Sequence, residues 1–133
     1  MEIKVSEERG TVPVSVMHVA GNIDSSTYEA FQARADELMQ AGARRLLIDL
    51  EEVPLVTSAG LRALNSIFNR LRELTPDVSD EEMRSGINAG TYKSPHLKLL
   101  KPSKASTIAL EHSGFSMFLE TFTDMKAAVK SYS

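Results

Sequence analysis

The stretch from Leu46 to Leu71 constrains the fold of this chain more than any other. Leu46-Leu47-Ile48-Asp49-Leu50 is a short apolar run, the pattern of a buried strand. A tight turn follows, then the two hydroxyl residues Thr57 and Ser58, and then Leu61, Leu64, Phe68 and Leu71 at helical spacing. Ser58 therefore falls at or near the N-terminus of a helix, at the carboxyl end of a strand. Backbone N–H groups and the positive end of the helix dipole converge there, so negative charge is favoured. A serine in that place is either a helix cap or a place to put a phosphate.

The remaining pattern organises around this unit. Ile3 and Val5 alternate with polar residues, as do Val12, Val14 and Val16, before Met17 and Val19 shift the run toward a buried strand. Pro13 cannot donate to a ladder and belongs at that strand's start or on an edge. Gly21-Asn22-Ile23-Asp24 reads as a turn. Ser26 with Glu29 forms a capping-box pattern for a helix that carries Phe31, Ala35, Leu38 and Met39 and stops near Gly42. The Ser58 helix runs to about Leu74. Residues 75–96 are polar with two glycines and two prolines, a connection unusually long for a compact domain and expected to be a flexible insertion; Ser79 and Glu82 could cap one short turn within it. A strand over 97–100 ends at Lys101-Pro102, and Ser103 caps a helix with Ile108 and Ala109 that Gly114 closes. Phe118, Leu119 and Phe122 suggest a last strand, and Thr123 opens a final helix with Met125, Ala128, Val129 and Tyr132. The order ββαβαβαβα places the chain in the α/β class, with a mixed, largely parallel β-sheet and alternating helices.

Composition narrows the function. At 133 residues and 42% hydrophobic, the expectation is a single domain over 1–133. A net charge of −3 carries no polyelectrolyte signature, so direct nucleic-acid binding is not indicated. There is no cysteine for disulfides, thiolate metal sites or redox chemistry. No apolar run approaches the length of a membrane span and the chain opens directly on strand-like sequence, so a cytoplasmic protein without membrane insertion is expected.

Alternation of strands and helices puts the loops at Asp24, Ser58 and Lys101 to Lys104 at the carboxyl ends of strands, the edge where α/β sheets usually carry their site. A shared surface for Asp24, Ser58 and Lys104 is predicted. Hydrolase chemistry at Ser58 is disfavoured, since Gly-x-Ser-x-Gly is absent and none of His18, His96 and His112 has an evident route to it. No metal-ligand spacing links those histidines, and no glycine-rich phosphate loop is present. With no base, acid and nucleophile to assemble, no enzyme and no cofactor are expected. Between Met83 and Leu110 the chain has Arg84, Lys93, Lys98, Lys101 and Lys104 but no acidic residue. That stretch is either a solvated basic face or a surface that steers an acidic partner or holds a phosphate.

The run Asp49-Leu50-Glu51-Glu52-Val53-Pro54-Leu55-Val56-Thr57-Ser58-Ala59-Gly60-Leu61 resembles the signature of the STAS family, named for sulfate transporters and anti-sigma factor antagonists. Gly21-Asn22-Ile23-Asp24 resembles that family's turn before its first helix. The segment 97–114, with Pro102 after the strand and Ser113-Gly114-Phe115 after the helix, resembles its C-terminal third.

The resemblance implies an anti-sigma factor antagonist, monomeric when free, that binds a partner acting as both anti-sigma factor and serine kinase. On this implication Ser58 is the phosphoacceptor, phosphorylation ends the binding, and a metal-dependent serine phosphatase resets it. Asp24 would belong to the kinase-contacting or phosphate-proximal surface, and Gly60 would allow close backbone approach. The partner surface comprises Asp24, Thr57, Ser58, Ala59, Gly60, Arg62, Lys101 and Lys104. Two features depart from the family pattern: Thr57 stands where many antagonists have Asp, and 75–96 is long. Two other roles would use the same edge, docking onto a lipid-transport or membrane-associated ATPase complex, and sensing of a small ligand or nucleotide.

Overall fold

Alternating apolar and polar residues at the start of the chain produce an antiparallel hairpin of β1 (Glu2–Arg9) and β2 (Pro13–Ala20) in the computed structural model, which describes residues 1–133. Pro13 opens β2 opposite Arg9, where its missing N–H costs no interior ladder bond. The chain continues through α1 (Tyr28–Gln40), β3 (Leu46–Glu52), α2 (Ser58–Leu74), α3 (Asp80–Ala89), β4 (Leu97–Leu100) and α4 (Lys104–His112). A short 3-10 turn (Phe115–Met117), β5 (Thr121–Phe122) and α5 (Met125–Lys130) complete it. The five strands lie in sequence order, antiparallel between β1 and β2 and parallel from β2 through β5.

That order explains the layers. Crossovers between parallel strands are right-handed, so steps that all advance in one direction put their helices on one face. Phe31, Ala35 and Met39 of α1, Ala63, Leu64, Ile67, Phe68 and Leu71 of α2 and Leu110 of α4 share one core with Met17, Val19, Leu46, Ile48, Leu97 and Leu99 of the sheet. The other face is covered by the C-terminal segment, where Ala128, Val129 and Tyr132 pack on Val14, Val16, Leu47 and Leu100. Lys98 also points to that side; its buried ammonium donates to the Ser131 carbonyl and hydroxyl, pairs with Glu120 at 3.4 Å and lies over the Tyr132 ring. No helix is long and apolar enough to cross a membrane.

Four local expectations are corrected. Residues 75–96, expected as a flexible insertion, include the ten-residue helix α3, whose Ser79 and Glu82 form a complete capping box. Arg72 ties it to α2, donating to Asp77, Asp80 and the Val78 carbonyl, and Tyr92 donates to Asp77 at 2.6 Å. Ser26 does not cap α1. Its N–H and hydroxyl both donate to the Asp24 carboxylate, and Thr27 takes the cap position. Phe118 and Leu119 follow the 3-10 turn, leaving only Thr121 and Phe122 in the last strand. Asp124, not Thr123, caps α5 through the Ala127 N–H.

The junction between α3 and β4 makes stability depend on pH. Burial disfavours the charged form of His96, whose Nδ1 has no hydrogen-bond partner, and holds its pKa below the usual imidazole value. Burial also works against ionised Asp77, but hydrogen bonds from Tyr92, the Val78 N–H and Arg72 outweigh it and leave its pKa below the usual carboxylate value. In both cases the unfolded chain binds the proton more readily, so stability falls with falling pH. The His96 contribution is lost first, as pH drops through about 6.5, and the Asp77 contribution below about 4. Urea midpoints of His96→Gln should therefore change less between pH 7 and pH 5 than those of the unsubstituted protein. An identical decline in both would exclude His96 as its source.

Candidate functional site

Three loops meet at the carboxyl ends of β2, β3 and β4 and are hydrogen-bonded to one another. The Ile23 N–H donates to Leu55 O and the Thr57 N–H to Ile23 O, both at 3.0 Å, so the turn after β2 lies directly along the turn after β3. The Thr57 hydroxyl adds a bond to Ile23 O at 3.3 Å. On the other side the Ser103 hydroxyl donates to Pro54 O at 2.8 Å while also accepting from the Ser106 N–H as the cap of α4. These bonds join the three loops that carry Asp24, Ser58 and Lys101 to Lys104 into one edge.

Thr57, in extended backbone, is the N-cap residue of α2, and Ser58 is the first helical residue. Ser58 is exposed, and its hydroxyl takes no part in the side-chain bonding that closes these loops. The first turn of α2 contains no acidic residue, so the positive end of the helix is not neutralised by its own side chains. Gly60 explains how α2 starts so close to its neighbours: a Cβ there would stand 2.5 Å from Ile23 O and 2.8 Å from Val56 Cγ1. Ala59 is buried beside it, while Arg62 is exposed one turn along.

Asp24 is held by the Ser26 hydroxyl at 2.7 Å and the Ser26 N–H at 2.9 Å, with Thr27 adding a longer bond. The Ser26 bonds chiefly keep its pKa below the usual carboxylate value. Its side chain is thus occupied in forming the turn, and it presents a fixed negative charge at this edge. Lys101, at φ 51°, pairs with Glu51 at 3.1 Å. Lys104 is exposed at the first position of α4.

The basic stretch does not form one face. Arg84 is exposed on α3, Lys93 donates to Met117 O, Lys98 is buried and Lys101 is paired, so on the loop edge it is Lys104, with Arg62 from α2, that leaves exposed cationic charge without an acidic partner. Two apolar side chains accompany them: Leu55 in the β3–α2 turn is 38% exposed and Ile108 on α4 is 46% exposed. The four principal concavities of the surface, none larger than about 580 Å3, are lined by other residues. No group of three or more His, Asp or Glu side chains is placed to hold a metal.

One constellation was missed by sequence reasoning. Ser6 on β1, His18 on β2 and Asp49 on β3 form a hydrogen-bonded row across the sheet, with 2.8 Å between Ser6 Oγ and His18 Nε2 and 2.8 Å between His18 Nδ1 and Asp49 Oδ2. The signal was the shared inward or outward parity of the three positions, which becomes legible only once the strand register is known.

The sequence model of the STAS domain matches residues 4–76, more than half of the chain. No curated protein matches. Among solved structures, the chain is similar to an anti-sigma factor antagonist from Mycobacterium paratuberculosis, at 18% identity and TM-score 0.68, covering 98% of this chain and 93% of that one. It is similar to SpoIIAA in its unphosphorylated form, at 15% identity and TM-score 0.66 over 95% and 92% of the two chains. The phosphorylated form of SpoIIAA, a Bacillus cell fate determinant, matches at 16% identity and TM-score 0.58 over 93% and 96%. At these identities the similarity is one of fold.

Proposed function

Since this chain belongs to the STAS domain family, we propose that it is an anti-sigma factor antagonist, a non-catalytic protein-binding switch that sequesters an anti-sigma factor serine kinase until Ser58 is phosphorylated. One observation carries this: an exposed serine that is not spent as a cap, at the open positive end of a long helix, in the middle of an edge built from three bonded loops. None of the four principal concavities lies at this edge, whereas exposed Leu55 and Ile108 with Arg62 and Lys104 suit a protein surface with apolar pockets and acidic groups. That favours a docking protein over a ligand sensor. A cytoplasmic serine phosphatase would restore the binding form.

Phosphorylation adds roughly −1.5 to −2 charges and three acceptor oxygens. At the start of α2 the dipole favours that charge by about 0.3–1 kcal/mol, so the domain keeps its fold. Inside an interface that excludes water, the same group without a partner costs several kcal/mol. The switch therefore acts by desolvation and repulsion at the edge, with little change elsewhere.

Affinity capture from lysate of the source organism, with wild-type, Ser58→Ala and Ser58→Asp baits, tests this. Wild type and Ser58→Ala should retain a serine kinase that Ser58→Asp loses. Transporter subunits on all three baits would point to constitutive docking on an ATPase complex.

A further inference from the structure

We propose that Ser6 is an activated nucleophile, acylated by small activated esters through the Ser6–His18–Asp49 row on the open face of the sheet. The three residues come from adjacent strands and project from the face opposite α1 and α2. On that face the C-terminal segment covers Val14, Val16, Leu47 and Leu100 but not this row, and the His18 side chain keeps 33% of its surface exposed.

The polarity of the row follows from its far end. Asp49 Oδ1 accepts the Glu51 N–H at 3.1 Å, so the carboxylate is fixed on one side by backbone and on the other by His18. A carboxylate only accepts, so His18 Nδ1 carries the hydrogen and donates to it. In the neutral ring Nε2 is then an acceptor, and the Ser6 hydroxyl donates to it over 2.8 Å. This is the hydrogen-bond order by which a histidine acts as base toward a serine while an aspartate fixes its tautomer and orientation. Lys4 supplies the remaining element. It stands directly across from His18 in the β1–β2 register, two residues before Ser6 on the same face, and its side chain is 78% exposed with only a surface pairing to Glu2. A concavity of about 230 Å3 bounded by Glu2, Lys4, His18, Ala20 and Glu52 lies beside the ring.

In the reaction, Ser6 Oγ attacks the ester carbonyl carbon while its proton passes to His18 Nε2. The tetrahedral oxyanion forms near the Lys4 ammonium. It collapses with cleavage of the bond to the leaving oxygen, which takes the proton from Nε2, giving acyl-Ser6 and the free alcohol or phenol. A single mobile lysine stabilises the oxyanion less than a rigid pair of backbone N–H donors, so the chemistry is modification of Ser6 and not rapid turnover. It is independent of any role for Ser58.

The test incubates the full chain with p-nitrophenyl acetate, and separately with an alkyl fluorophosphonate, and maps the adduct by peptide mass spectrometry. Wild type and Ser58→Ala should be labelled at Ser6 at equal rates, and Ser6→Ala should show no adduct in that peptide. His18→Gln should slow labelling by about 10²-fold or more, the contribution of a positioned base. Asp49→Asn, which keeps the imidazole but disturbs its tautomer, should slow it too, with thermal melts showing that each variant is folded. Adducts only on lysines or other serines, no adduct at all, or undiminished labelling of folded His18→Gln and Asp49→Asn would overturn the proposal.

Discussion

Replacing Gly60 by alanine is expected to destabilise the protein by about 2 kcal/mol, the middle of the range for forcing extra atoms into a packed site. Helix propensity alone predicts the opposite, since alanine in a helix interior is favoured over glycine by about 1 kcal/mol. The contact decides the sign. The added Cβ would lie 2.5 Å from Ile23 O, a backbone atom that already accepts the Thr57 N–H at 3.0 Å and cannot swing away as a side-chain terminus would. The start of α2 must retreat, and with it the bonds that join the Ser58 and Asp24 loops. At this size the melting temperature should fall by roughly 8 °C, and partner binding should weaken as well because the edge is no longer held in register. A melting temperature equal to or above wild type would mean that α2 does not seat against Ile23 as described.

The second large effect falls on binding alone. Ser58→Asp should lower affinity for the partner kinase by at least about 10²-fold, since roughly 1.4 kcal/mol corresponds to each factor of ten and an unpaired buried charge costs several kcal/mol. Aspartate carries less charge than a phosphate, so full phosphorylation should do more. Thermal stability should stay at or slightly above wild type, because the first turn of α2 has no acidic residue of its own and tolerates one. Ser58→Ala should bind like wild type. The pattern separates this substitution from Gly60→Ala, which lowers stability and binding together.

Much of this was legible in the sequence because it rests on local periodicity. The apolar run ending at Leu50, the helical spacing from Leu61 to Leu71 and the run Leu97–Leu100 each bury side chains in the pattern of their element, and the structure places β3, α2 and β4 there. What failed depended on competition or distance. Ser26 and Glu29 have capping-box spacing, but Asp24 binds the Ser26 hydroxyl and N–H first, and the helix starts later. The helix α3 buries no residue fully, so it leaves no strong apolar stripe; its signals were the Ser79 and Glu82 box and the left-handed Gly90 at its end. The basic residues from Arg84 to Lys104 share a stretch of chain but not a surface, because Lys98 lies on a central strand and faces the C-terminal segment. Ser6, His18 and Asp49 are separated by 12 and 31 positions and meet only through strand register. At the carboxyl edge, the position of Ser58 at the start of a helix was readable, whereas its exposure and the bonding of the Pro54 turn to Ser103 required the assembled sheet.

The most direct test of the switch is to mix the purified protein with the captured kinase, add ATP, and follow phosphate incorporation and complex dissociation together, mapping the modified residue. One phosphate on Ser58, with the complex dissociating in step with its appearance and Ser58→Ala remaining unmodified and bound, is the predicted result. Phosphate on Thr57 or elsewhere, or a complex that persists with Ser58 fully phosphorylated, would contradict it.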